Sequence, residues 1–66
     1  MEKNISEFNP SWVLLRPLDV AERLKISRSM AYKLVCTGEI PCVRIGRSVR
    51  IRTEDLEKFI LENISS

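Results

Sequence analysis

From residue 17 onward the spacing of apolar positions changes several times along the chain, and each change marks a new element. Between Pro17 and Leu24, Val20, Ala21 and Leu24 share one helical face, while Asp19, Glu22 and Arg23 take the other. Pro17 suits a first helical position, where its missing N–H costs nothing. Lys25-Ile26 reads as a brief turn, and Ser27 as the N-cap of a second helix. In that helix Met30, Ala31, Leu34 and Val35 fill one arc of the wheel, and Arg28, Ser29, Tyr32, Lys33 and Cys36 fill the opposite arc. Gly38 is the expected stop, and Pro41 keeps the helix from resuming. Two helices of about two turns each, separated by about three residues, describe a helix-turn-helix.

The period then drops to two. Cys42-Val43-Arg44-Ile45 and Val49-Arg50-Ile51-Arg52 alternate around the glycine-containing link Gly46-Arg47-Ser48, which predicts a β-hairpin. On this reading Val43, Ile45, Val49 and Ile51 face the core, Arg44, Arg50 and Arg52 face out, and Arg47 sits at the tip. Thr53 is the expected cap of a third helix whose first turn holds Glu54 and Asp55, the favourable sign for its dipole. Leu56, Phe59, Ile60 and Ile64 recur at helical spacing and are expected to bury it, with residues 63–66 frayed. Val13–Leu15 is a candidate short strand. Residues 1–11 are polar, carry Pro10 and show no sustained period, so they read as a flexible arm with Ile5, Phe8 and Trp12 as anchors. The predicted architecture is a small α+β winged helix-turn-helix over residues 12–64, with three helices and a two-stranded wing.

Size and composition narrow the function. Sixty-six residues at 44% hydrophobic make one thin-cored module, since a domain this small hides only roughly 60% of its unfolded surface. Such a chain does not enclose the deep cleft an enzyme needs. There is no histidine, which removes the commonest general base and the commonest metal ligand together, and Ser27 and Ser48 have nothing to activate them. Cys36 and Cys42 are expected to be reduced, small apolar residues: one bridge over a short loop is no disulfide scaffold, and two thiols fall short of a zinc site. The expectation is no catalysis, no metal and no cofactor. No apolar run approaches the ~20 residues that cross a bilayer. The start MEKNISEF has no signal-peptide pattern, so the protein is expected in the cytoplasm, away from membranes.

Net charge +2 conceals a strong asymmetry. Residues 1–15 sum to −1 and residues 53–66 to −3, whereas residues 16–52 reach +6. A basic middle between acidic ends is the electrostatic outline of a polyanion binder. Seven of the nine basic residues in that middle are arginine, whose fork fits phosphate and guanine edges better than an ammonium does.

Leu15 to Ile60, about 46 of the 66 residues, resembles the small DNA-binding domains of the excisionase family, related to the winged helix of mercury-resistance type regulators. The matching pieces are RLKIS with Ser27 opening the second helix, AYKLVCTGEIP closing it, VRIGRSVRI as the wing and TEDLEKFI as the last helix. One position departs from the pattern. The family usually has glycine between the first helix and the start of the second, in a left-handed turn; here it is Lys25, which costs of order 1 kcal/mol over glycine in that conformation. The resemblance implies a bacterial or phage-encoded protein that binds and bends DNA near the ends of an integrative element. It would help a tyrosine or serine integrase run towards excision.

The residues themselves suggest how duplex DNA would be held. The second helix is expected to enter the major groove, which alone admits a helix and displays a full base code. Arg28 is assigned base reading, Ser29 lies beside it, Lys33 meets phosphate, and Tyr32 reaches a phosphate or a thymine methyl. Ser27 is first a cap and second a phosphate contact. On the wing, Arg47 is aimed at the minor groove or its flanking phosphates, Arg44 and Arg50 hold the phosphates on either side, and Ser48 belongs to the same DNA-binding wing. A single module reads few base pairs, so useful specificity calls for self-association on DNA or a partner protein. The acidic third helix, with Leu61 off its buried stripe, is the candidate surface for such a contact. Two alternatives stand beside the excisionase: a small transcriptional regulator on a promoter operator, and an adaptor whose basic face docks an acidic protein.

Overall fold

A computed structural model describes residues 12–65. The elements are β1 (Leu14–Leu15), α1 (Pro17–Leu24), α2 (Arg28–Cys36), β2 (Val43–Ile45), β3 (Ser48–Arg52) and α3 (Thr53–Glu62). The strands form one antiparallel sheet in the order β1-β3-β2. The short strand predicted near residues 13–15 therefore exists and enlarges the two-stranded wing to three strands. The predicted flexible arm, residues 1–11, lies outside the described residues.

Local chemistry accounts for most boundaries. Pro17 opens α1, and the Asp19 carboxylate reaches back to accept from the Arg16 backbone N–H at 2.9 Å. Ser27 caps α2 as expected, its Oγ accepting from Met30 N at 3.1 Å. Between these helices Lys25 takes the left-handed conformation, φ 60° and ψ 43°. Its own N–H and that of Ile26 both donate to the Ala21 carbonyl, closing α1. The turn thus keeps the shape a glycine would give it and bears the strain of a lysine. Gly38 ends α2 at φ +83°, donating to Val35 O at 3.2 Å, while Ile40 N donates to Leu34 O at 3.1 Å.

That last bond drops Ile40 into the centre of the domain. Ile40, Ile51 and Val20 are fully buried, with Leu15, Ala21, Ala31, Val35 and Leu56 around them. No polar or charged side chain is buried among the described residues. Ile40 follows no helical or strand period, which is why pattern reading passes over it.

The hairpin register differs from the expectation. Ile45 pairs with Ser48, Arg44 with Val49 and Val43 with Arg50, so the turn is the two residues Gly46-Arg47. Gly46 has φ +60° and is the one positive φ in the turn, the type II′ pattern that matches strand twist. A three-residue link would have put Val43 opposite Ile51 and all four aliphatic residues on one face. Removing one residue from the link flips one strand against the other. Val49 and Ile51 then share a face with Arg44, while Val43 and Ile45 share theirs with Arg50. Ile51 is buried, Val43 and Val49 are half-buried, and Ile45 is 59% exposed, not in the core.

Further expectations need correction. Met30, Ile60 and Ile64 are 45%, 41% and 64% exposed: their arcs flank the buried faces of α2 and α3, and a three-helix domain has no further layer to cover them. Leu61 is thus one of several exposed apolar residues, not a solitary one. Thr53 is the first helical residue, not a cap. Its hydroxyl accepts from Val13 N and its N–H donates to Val13 O, both at 2.9 Å, tying α3 to the start of β1. Both cysteines carry free thiols. Cys42 packs against the core, but Cys36, on the polar arc of α2, is exposed rather than buried. No helix among the described residues is long and apolar enough to cross a membrane.

Candidate nucleic-acid interface

Arg28, Ser29, Tyr32 and Lys33 are all exposed on α2, as their place opposite Ala31 and Val35 requires. Ser27 is exposed at the same end. On the wing, Arg44, Arg47 and Ser48 are exposed and Arg50 is half-buried, its Nη1 donating to the Val49 carbonyl at 2.8 Å. The type II′ turn sets Arg47 at the apex.

A groove of about 400 Å³ joins the two elements. Tyr32 of α2 lines one side, and Arg47, Ser48 and Arg50 of the wing line the other. The structure therefore brings these four predicted residues around one depression. Ser27, Arg28, Ser29, Lys33 and Arg44 lie outside its lining. Arg16 and Pro17 close the end of the groove. Arg16 was not anticipated there; the signal lay in Val13–Leu15, because pairing of β1 with β3 carries the next residue to the foot of the wing.

The basic residues fall into two groups. Arg16 is held by Asp19, with Nη2 to Oδ1 at 3.0 Å and Nε to Oδ2 at 3.2 Å. The hydrogen bonds to the Arg16 guanidinium and backbone hold the Asp19 carboxyl down to about 2. Arg52, expected to face outward with the wing arginines, donates Nε and Nη2 to Asp55 at 2.8 Å each and lies 5.4 Å from the Trp12 ring centroid. That bidentate bond lowers the Asp55 carboxyl as well. Arg52 is committed within the fold. Arg28, Lys33, Arg44 and Arg47 make no ion pair among the described residues. Arg28, Lys33, Arg44 and Arg47 are therefore free on α2 and the hairpin, and Arg23, Lys25 and Lys58 elsewhere are unpaired as well among the described residues.

Helix polarity points the same way. Asp19 stands in the first turn of α1, and Glu54 and Asp55 in that of α3, where carboxylates stabilise the positive end of the dipole. The first turn of α2 has no acid; it carries Arg28 instead. Placing a cation there forgoes roughly 0.3–1 kcal/mol of helix stability and leaves the Arg28 and Ser29 amides, which Ser27 does not cap, open to an external anion.

A family model described as a helix-turn-helix domain matches residues 14–64. The chain belongs to the excisionase-type helix-turn-helix family. Among relatives of this family member, the Mycobacterium tuberculosis H37Rv protein named "Putative DNA-binding protein Rv0500A" is 42% identical over 47 residues, covering 71% of this chain and 60% of the relative. A Saccharopolyspora erythraea protein named "Probable excisionase" is 40% identical over 50 residues, covering 76% of this chain and 51% of its own length. The chain thus spans between half and two thirds of these relatives. No solved structure matches it.

Proposed function

We propose that this chain is a sequence-specific double-stranded DNA-binding protein that acts in the cytoplasm as an excisionase. The observation that carries the reading is the groove in which Tyr32 of α2 meets Arg47, Ser48 and Arg50 of the wing. Arg28, Lys33, Arg44 and Arg47, on the two elements that frame this groove, make no ion pair among the described residues, so their charge is available to phosphate.

In this reading the N-terminal half of α2 enters the major groove. Arg28 donates in bidentate fashion to a guanine, for roughly 1–3 kcal/mol of discrimination. Ser29 lies against the same base edges, Lys33 binds a phosphate, and the open α2 amides with Ser27 receive another. Tyr32 packs a phosphate or thymine methyl at the mouth of the groove. Arg47 reaches the minor groove from the wing apex, and Arg44, Ser48 and Arg50 hold the phosphates on either side. The excisionase role adds bending of the DNA and cooperation with an integrase, and is supported by the relative carrying that name.

A DNase footprint across the DNA surrounding the gene tests this directly. Repeated adjacent protections near an element end, with enhanced cleavage between them, are expected. Protection confined to a promoter would replace the excisionase by a transcriptional regulator. No protection even at low salt would refute DNA binding and favour an adaptor for an acidic protein.

A further inference from the structure

On α2, Met30 lies about 200° around the wheel from Tyr32, so it looks away from the groove beside the wing. There it joins a second depression of about 400 Å³ between the helices. Leu24, Ile26, Met30 and Leu34 form one bank at the α1–α2 turn and along α2; Ile60 and Ile64 form the other at the end of α3. Three of these six, Met30, Ile60 and Ile64, are exposed. Scattered surface leucines are ordinary, but a contiguous apolar groove on so small a domain marks a contact surface.

The charges around it are of opposite sign on the two banks. Lys25 stands between Leu24 and Ile26. On α3, Glu57 lies one turn before Ile60 and two before Ile64, on the same ridge. Neither Lys25 nor Glu57 makes an ion pair among the described residues. In a two-fold contact whose axis runs along the groove, each bank meets the other copy's opposite bank. The basic bank of each molecule then faces the acidic bank of the other, and the match is made twice while the aliphatic residues close together. A purely acidic or purely basic partner would meet repulsion from one bank.

We propose that this groove is a two-fold interface between two copies of the chain. Eight residues line the groove, against roughly 20–30 a side in a standard-size interface, so the pair is weak in free solution, with Kd on the order of 0.1–1 mM. The proposal does not depend on DNA binding, and its test contains no DNA.

Met1 and Met30 are the only two methionines, so methyl-labelled methionine gives a direct report. Over a concentration series from about 20 μM to about 2 mM, bracketing that Kd, the Met30 methyl resonance should move saturably. Sedimentation equilibrium should stop at dimer. Ile64→Asp, beyond the end of α3 and exposed, should abolish both effects without changing the melting temperature of the dilute protein. Lys25→Glu and Glu57→Lys should each weaken self-association at least several-fold, and an equimolar mixture of the two should restore it, because only the mixed pair matches at both banks. A Met30 resonance that ignores concentration would overturn the proposal. So would growth beyond dimer, dimerisation retained in Ile64→Asp, or a mixture that fails to associate.

Discussion

Replacing Lys25 by glycine should stabilise the protein although it removes a side chain. Lys25 sits at φ 60° and ψ 43°, the one non-glycine residue with positive φ among those described. A side chain in that region costs about 1–2 kcal/mol through the clash of Cβ with the carbonyl oxygen. Glycine removes the clash and leaves the backbone donors to Ala21 O in place. Against this stands the greater freedom of glycine in the unfolded chain, about 0.4–1 kcal/mol. Lys25 is exposed and makes no ion pair among the described residues, so little else is lost. The net gain is about 0.5–1 kcal/mol, which in a domain this size raises Tm by roughly 2–8 °C. Thermal unfolding followed by circular dichroism at neutral pH measures it. A lower Tm for Lys25→Gly would refute the argument, because the turn would then not be left-handed at residue 25.

Three further predictions concern the hairpin, the acid limb and the interface. Ile51→Ala should cost about 2–5 kcal/mol, as for any buried isoleucine, whereas Ile45→Ala should cost under about 1 kcal/mol; similar losses from both, read by urea unfolding, would restore the three-residue link. The Asp19 carboxyl titrates at about 2 when folded, against 3.8 in the unfolded reference. Its contribution to stability is therefore complete above about pH 4 and lost as pH falls through about 2. Melting curves across that window should fall less steeply for Asp19→Asn, and an identical slope would contradict the Arg16 contact. On duplex DNA, Arg28→Ala should relax base preference, while Arg47→Ala should weaken all sequences alike and reduce the salt slope by about one; competition binding with mismatched duplexes separates the two.

The elements that punctuate themselves were legible in the chain. Pro17, Ser27 and Gly38 act through their own backbone chemistry, so the bounds of α1 and α2 follow from local rules. What escaped depends on neighbours. Alternation in residues 43–45 and 49–52 holds for either link length, since a period of two does not reveal the phase of one strand against the other. Ile40 is core because α2's final turn delivers it there, and no repeat announces that. Arg52 reads as an outward wing residue until Asp55 is seen one helical turn away across the β3–α3 junction. Ile60 and Ile64 keep helical spacing on α3, yet burial needs an opposing layer. Of the candidate interface, Tyr32, Arg47, Ser48 and Arg50 line one groove while Ser27, Arg28, Ser29, Lys33 and Arg44 lie outside it, and Arg16 in that lining is hidden from the sequence by the brevity of β1.

The central claim is that the free cations of α2 and the wing face nucleic acid. Its most direct test is fluorescence anisotropy of a labelled duplex, titrated with the protein at several salt concentrations. If Arg28, Lys33, Arg44, Arg47 and Arg50 supply the contacts, log Kobs should fall against log salt with a slope of about −3 to −5. A slope near zero, or no binding at about 50 mM salt, would contradict the account.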